Sequence, residues 1–235
     1  MISVCMTTYN GEKYIKEQLK SILAQITEND EVIIYDDNSK DSTIKIIRHF
    51  NDTRIKLYVN NHTVGYTKNF ERSLKKASGD IIFLSDQDDI WINDKVSVSM
   101  DYLKKSDFVV SDSTIVDKDL NLIKESHFTV YNTKRGFIKN LLFPRYVGAC
   151  MAFKREVLLK SLPFPENSKL IAHDYWICLI AEAHFRTSLI KKPLIFYRRH
   201  QNNASTGGNR SKNTLKHKIH VRLYAIYYLI KVLFR

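Results

Sequence analysis

Residues 81–91 read Ile-Ile-Phe-Leu-Ser-Asp-Gln-Asp-Asp-Ile-Trp. An apolar run the length of a buried strand stops at three carboxylates within four positions. Like charges crowded at a strand end repel one another, and burying them without a cation is costly. A divalent metal that takes oxygen ligands resolves the conflict, and an Asp-x-Asp pair (Asp86, Asp88) on a rigid strand end suits a metal held against a substrate's phosphates. Asp is also a turn residue and a helix N-cap, and a helix is expected to start near Ile92 to Asp94. The cluster alone therefore leaves both readings open.

Strand-like runs recur around this stretch, at 2–7, 31–35, 54–59 and 107–111. Between them 12–23, 42–50, 67–77 and 95–104 read as helices, the first through Ile15, Leu19, Ile22 and Leu23 at helical spacing. This alternation implies an α/β fold with a doubly wound, mostly parallel sheet. In such sheets ligands sit at the carboxyl ends of the strands. Beyond 112 the rhythm loosens. Strand-like pieces lie near 113–116, 120–123, 149–153 and 194–199, and helices near 134–142 and 174–183. Residues 201–211, with Gly207 and Gly208 and no apolar periodicity, are expected to form a mobile loop. No repeat and no second core is visible, so 1–212 reads as one domain followed by a helix at 213–235.

At 235 residues the chain is long enough for one domain with a sizeable core. The net charge of +12 arises entirely in residues 183–235, which carry twelve Lys and Arg and no acid, while 1–182 are balanced. That asymmetry points to an anionic partner for the C-terminal end. No nucleic-acid-binding module accompanies it, so nucleic acid is not the expected partner. Cys5, Cys150 and Cys178 are odd in number and lack metal-type spacing, which argues against a disulfide framework and for a reducing cytosol. The N-terminus has no basic region or long apolar core and reads as a first strand rather than a signal peptide.

A second acidic site, Tyr35-Asp36-Asp37-Asn38-Ser39-Lys40-Asp41-Ser42, ends the second strand. Asp41 or Ser42 is placed to cap the next helix. Asp36 and Asp37 are not needed for that, and they face the same crevice as Thr7-Thr8-Tyr9-Asn10-Gly11. A carboxylate there suits hydrogen bonds from a nucleobase or ribose. There is no Gly-x-Gly-x-x-Gly and no P-loop, so phosphates would have to be neutralised by a metal and by Lys or Arg.

Taken in order and spacing, Ser3 to Glu12, Asp36 to Thr43, Gly65-x-x-Lys68-Asn69 and Gly79-Asp80 with the run that follows them resemble the family 2 glycosyltransferases of GT-A fold. The resemblance is specific over 2–105. Residues 148–153 (Gly-Ala-Cys-Met-Ala-Phe) and 173–176 (His-Asp-Tyr-Trp) resemble the acceptor-half motifs less specifically. It implies a nucleotide-sugar-binding half at 1–112 and an acceptor half at 113–212. It also implies an inverting transfer, with Mg²⁺ or Mn²⁺, from a nucleotide diphosphate-sugar to a hydroxyl. Thr7, Tyr9, Asp37, Lys68 and Asp86 would hold the donor. Asp88 would be the direct metal ligand, with Asp86 and His200 as further candidates. Arg198 and Arg199 would meet the diphosphate, unless they form a solvated basic turn.

An inverting displacement needs a general base on the acceptor side. In the family this carboxylate lies in a Glu-Asp pair at a helix start. Asp174 holds the Asp position, with His173 where Glu is usual, unless Asp174 merely caps its helix. The His-Asp variant is similar to bacterial rhamnosyl- and glucosyltransferases of surface polysaccharides, which implies a lipid-linked glycan acceptor. A non-catalytic nucleotide- or sugar-binding partner in polysaccharide assembly is the other reading of the same motifs. His173 reads as a packing or acceptor-contact residue, Asp89 as a turn residue, and Trp91 and Trp176 as core anchors or walls of sugar subsites.

In the tail, Leu215, Ile219, Leu223, Ile226, Ile230 and Leu233 recur at helical spacing beside Lys218, Arg222, Lys231 and Arg235. The uncharged run 223–230 is too short to span a bilayer. A basic amphipathic helix on an anionic membrane surface is expected, against the alternative of a docked helix with solvated charges. The expected location is cytoplasmic, peripheral on the inner face of the cell membrane.

Overall fold

The structure, a computed structural model, describes residues 1–201, 203 and 213–234. The expected loop at 201–211 therefore falls outside the described residues, apart from Gln201 and Asn203. In the first half, β1 (Ile2–Thr8) is buried at every position, as a strand covered on both faces must be. Helix α1 (Ile15–Leu23) buries Ile15, Leu19 and Ile22 on one stripe. β2 (Glu31–Asp36), α2 (Thr43–His49), β3 (Ile55–Val59), α3 (Tyr66–Lys76) and β4 (Ile81–Ser85) complete a parallel set in the order β3-β2-β1-β4. Every strand of this set ends at the same edge, where the acidic motifs begin.

The second half follows as β5 (Ile90–Trp91), α4 (Lys95–Leu103), β6 (Phe108–Asp117), β7 (Leu122–Lys124), α5 (His127–Tyr131), α6 (Phe137–Leu142), β8 (Met151–Lys154), α7 (Arg155–Ser161), α8 (His173–His184), β9 (Thr187–Arg199) and α9 (Leu215–Leu233). The sheet continues past β4 as β8-β6-β9-β5, with β7 paired to β6. β8 lies antiparallel between β4 and β6, so the strand after α4 does not extend the parallel set directly. The pieces expected at 107–111 and 113–116 are one strand. Its mid-strand Asp112 is buried and satisfied, accepting the Ser126 hydroxyl at 2.5 Å and the Phe128 N–H at 2.9 Å. β9 starts at Thr187 rather than 194 and runs through Pro193, where the β6–β9 register shifts. Such an irregularity lets a strand carry a residue that donates no ladder hydrogen bond.

Helix α9 packs Val221, Ala225, Tyr228, Leu229 and Val232 into the same core as the sheet. Tyr228 meets Trp176 edge-on at 6.5 Å, and the Tyr224 hydroxyl accepts the Asn167 N–H at 3.0 Å. The stripe picked out by sequence, Leu215, Ile219, Leu223, Ile226, Ile230 and Leu233, lies on a different face and is exposed. No described helix is long and apolar enough to cross a membrane. All three cysteines are free and buried.

At the edge opposite the acidic motifs, buried Glu31 ties three strands together. Its Oε1 accepts from the Ser3 hydroxyl at 2.5 Å and from Ser78 N–H and hydroxyl at 2.7 Å each. Its Oε2 takes the Lys56 ammonium at 2.6 Å. Burial alone would raise this carboxyl, but the bonds from Lys56, Ser3 and Ser78 overcome it and hold it at about 2, against an ordinary 4.5. A depressed carboxyl stabilises the fold above its unfolded pKa, and that contribution fades as pH falls through the folded value. Glu31→Gln is expected to cost about 1–3 kcal/mol in urea unfolding at neutral pH. The difference from wild type should shrink as pH falls from 4.5 toward about 2, and an undiminished gap at the acid end would contradict this role.

Candidate active site

A cavity of about 1200 Å³ opens at the carboxyl ends of β1, β2 and β4 and is closed on the far side by the start of α8 and by α9. Thr7, Thr8, Tyr9, Asp37, Asp86, Gln87, Asp88 and Asp174 all line it. Residues more than eighty positions apart in sequence thus share one space.

The floor at the β1–β2 end is built by hydrogen bonds. The Thr8 hydroxyl donates to Asp36 at 2.7 Å, and Asp36 also accepts Ser39 N–H and hydroxyl, so this carboxylate is a structural clamp. Asp37 accepts from Asn60 at 3.0 Å and from the N–H groups of Val64 and Gly65 at 2.8 Å each. It thereby fixes the loop that carries Tyr66 and Asn69 to the cavity wall. Three donors leave a carboxylate with one acceptor direction still available. Gln87 clamps the Tyr9 backbone through both amide atoms, at 2.8 and 3.0 Å. Gly11 permits this, because a Cβ there would lie 2.3 Å from the Gln87 oxygen.

At the β4 end the Asp88 carboxylate meets His200 Nε2 at 2.8 Å and the Asn203 amide at 3.0 Å. The His200 ring stacks on Tyr14 at 4.9 Å. Asp86 is different. Burial, then the charges of Asp88 and Asp174, push its carboxyl up to about 7, with no hydrogen-bond donor among the described residues opposing them. A carboxylate left in that condition suits a cation. Among the described residues no three His, Cys, Asp or Glu gather closely enough to hold a metal unaided. Mg²⁺-type ions are commonly bound by one or two carboxylates together with substrate phosphates, and Asp88 with Asp86 beside it fits that arrangement.

Asp174 reaches the cavity from the first turn of α8. The N-cap of that helix is Ala172, so Asp174 is not the cap; its carboxylate accepts the Tyr175 N–H at 2.7 Å. Gly148 packs against this turn, and a Cβ there would lie 3.0 Å from His173 Nε2 and 3.2 Å from Asp174 Cβ. His173 lines the cavity and is stacked on Phe70 at 3.8 Å. Burial pushes it down to about 4, so the ring is neutral.

Several expected contacts are not brought together. The Lys68 ammonium lies on the α3 surface 3.3 Å from Glu71, away from the cavity lining. Arg198 is buried, paired with Glu17 at 2.7 Å and lying 4.6 Å over the Tyr14 ring. Arg199 lies over Tyr197 at 5.6 Å. Neither arginine lines the cavity. Asp89 is no simple turn residue: it is buried and accepts the Arg198 N–H at 3.0 Å, which fastens the end of β9 beside β4. Trp91 and Trp176 are core anchors, each almost fully buried and off the cavity wall. Tyr66, Gln87, Arg145 and Lys169 also line the wall, and no sequence motif marks them for it. Gln87 sat within the quoted stretch, but only as the spacer between two acids.

The family model described as "Glycosyl transferase family 2" matches residues 3–162. The dTDP-rhamnosyl transferase RfbG of Shigella flexneri is 31% identical over 223 residues, 88% of this chain and 75% of that protein. The UDP-Glc:alpha-D-GlcNAc-diphosphoundecaprenol beta-1,3-glucosyltransferase WfgD of Escherichia coli is 32% identical over 126 residues, half of each chain. Among solved structures, S. aureus TarS 1-349 in complex with UDP-GlcNAc superposes with a TM-score of 0.74 at 20% identity, over 97% of this chain and 66% of that one. The mannosyltransferase PcManGT from Pyrobaculum calidifontis, in complex with GDP-Man and Mn²⁺, gives 0.66 at 20% identity, over 98% and 64%. At that identity the two structures speak to fold alone. The chain spans half to three quarters of the length of these proteins.

Proposed function

The chain belongs to glycosyl transferase family 2 and has its GT-A fold, and from that premise we propose an inverting, metal-dependent transfer of a sugar from a nucleotide diphosphate-sugar to a hydroxyl of a lipid-linked glycan. The observation that carries this reading is the meeting of Asp86, Asp88 and Asp174 in one cavity. Thr7, Tyr9 and the remaining acceptor direction of Asp37 bind the base and ribose. In a single displacement the acceptor oxygen bonds to the anomeric carbon as the bond from that carbon to the phosphate oxygen breaks. Asp174 takes the hydroxyl proton, and the electron pair leaves with the diphosphate. When bound by Asp88 with Asp86 and His200, Mg²⁺ or Mn²⁺ would supply positive charge for the departing diphosphate, so no protonated general acid is required.

The relatives support the finer parts of this reading. WfgD acts on a diphosphoundecaprenol acceptor by its name, and PcManGT was solved in complex with GDP-Man and Mn²⁺. The exposed apolar stripe of α9, with Lys218, Arg222 and Lys231 along its margins, suits the surface of an anionic bilayer. The protein would then work at the inner face of the cell membrane in polysaccharide synthesis.

Asp174→Asn is expected to keep metal-supported binding of the nucleoside diphosphate while transfer falls about 10²–10⁴-fold. Asp88→Ala should lose the metal-supported binding itself. Transfer by Asp174→Asn at the wild-type rate would remove the base assignment. For the membrane, co-sedimentation with vesicles containing anionic lipid should be lost in an Ile219→Glu, Leu223→Glu double variant. Equal sedimentation of variant and wild type would remove that surface.

A further inference from the structure

The cavity has two electrostatic ends. Asp37, Asp86 and Asp88 stand at one, at the strand ends, with Asp174 reaching toward them from the first turn of α8. Arg145, Lys169, Lys218 and Arg222 line the other, contributed by the loop after α6, the loop before α8, and α9. The Lys169 and Lys218 ammonium groups form no ion pair among the described residues. A donor diphosphate has its place at the acidic end with its cation. The basic end is surplus to that task, yet it opens into the same space.

Its surroundings point to what it takes. At about 100° per residue, Lys218 and Arg222 fall on the margin of α9 between the docked face (Val221, Ala225) and the exposed stripe (Ile219, Leu223). The Arg222 guanidinium donates to the Leu142 carbonyl at 2.8 Å, which joins α9 to the end of α6. There Leu142 and Phe143 line the cavity mouth while remaining 48% and 62% exposed. Cationic groups inside a mouth whose rim is apolar match an anion joined to a hydrocarbon chain.

We propose that Lys218, Lys169 and Arg145 form a metal-independent subsite for the phosphate or diphosphate that joins a glycan acceptor to its polyprenyl chain, with the chain leaving over Leu142, Phe143 and Leu223. This rests on the proposed transfer to a lipid-linked acceptor and adds the residues that hold the acceptor's anionic link. The subsite would place the acceptor sugar between the lipid surface and Asp174.

The test is calorimetric binding of farnesyl diphosphate, below its micelle concentration, to the full chain in EDTA. Wild type should bind it. Lys218→Glu should weaken binding about tenfold or more, the loss of a charge-assisted hydrogen bond and its reversal, whereas Lys218→Arg should restore it. Asp88→Ala should not weaken it, because Asp88 offers the metal-free diphosphate no donor. No binding by wild type, or binding that Lys218→Glu leaves unweakened, would overturn the proposal, because the diphosphate would then not be held at the basic end. Inorganic pyrophosphate binding as tightly as farnesyl diphosphate would also overturn it, since the hydrocarbon would contribute nothing. A panel of nucleoside diphosphates with Mn²⁺, run on the same preparations, separates the two readings. If wild type binds none of them, the transferase reading fails while the result for the basic end stands by itself.

Discussion

Mutual repulsion among Asp86, Asp88 and Asp174 is the constraint on which the rest of the site depends. Three carboxylates facing one cavity would ordinarily relax apart or protonate, and Asp86 shows the strain of staying: burial and its two acidic neighbours push its carboxyl up to about 7. The fold denies them any retreat. Asp86 is pinned at its carbonyl by Gln18 at 3.0 Å, Asp88 is held by His200 and Asn203, and Asp174 is pressed into position by the turn at Gly148. Under the proposed function, such a site would take a cation and an anionic substrate together, with no Gly-rich loop needed for the phosphates.

The parallel half and the irregular half divide this work. Strands β1, β2 and β4 end in register, so their carboxyl ends form a fixed shelf. The antiparallel insertion of β8 turns the chain so that Gly148 and α8 arrive over that shelf. Helix α9 then closes the far wall. It is apolar around much of its circumference, with one stripe sunk in the core and another facing outward. Helices docked on a soluble domain usually turn a polar face to solvent. The outward stripe is the feature that ties the membrane reading to the cavity mouth beside it.

The parallel half was legible because each of its strands is a local apolar run ending in a turn motif, and α1 carries its period in Ile15, Leu19 and Ile22. The position of β8 was not legible, because its pairing with β4 and β6 joins residues far apart in sequence. β6 read as two pieces because Ser111, Asp112 and Ser113 interrupt the apolar run, and only Ser126 and Phe128 reveal why they can be buried. Spacing and resemblance singled out Asp37, Asp86, Asp88 and Asp174, which the fold brings to one cavity. The misplaced cations were not legible: Arg198 and Lys68 stood beside the right motifs, but Glu17 and Glu71 claim them. The tail stripe was read correctly as apolar, while the second stripe through Val221, Ala225 and Tyr228, which docks the helix, was overlooked between its residues.

The central claim, that one cavity holds the donor's diphosphate against Asp88 with Asp174 facing it from the acceptor side, is tested most directly by anomalous diffraction from crystals grown with a nucleoside diphosphate and Mn²⁺. The expected result is a manganese peak bridging Asp88 and the diphosphate, with the terminal phosphate directed toward the Asp174 side of the cavity. A peak bound elsewhere, or a diphosphate directed away from Asp174, would contradict it.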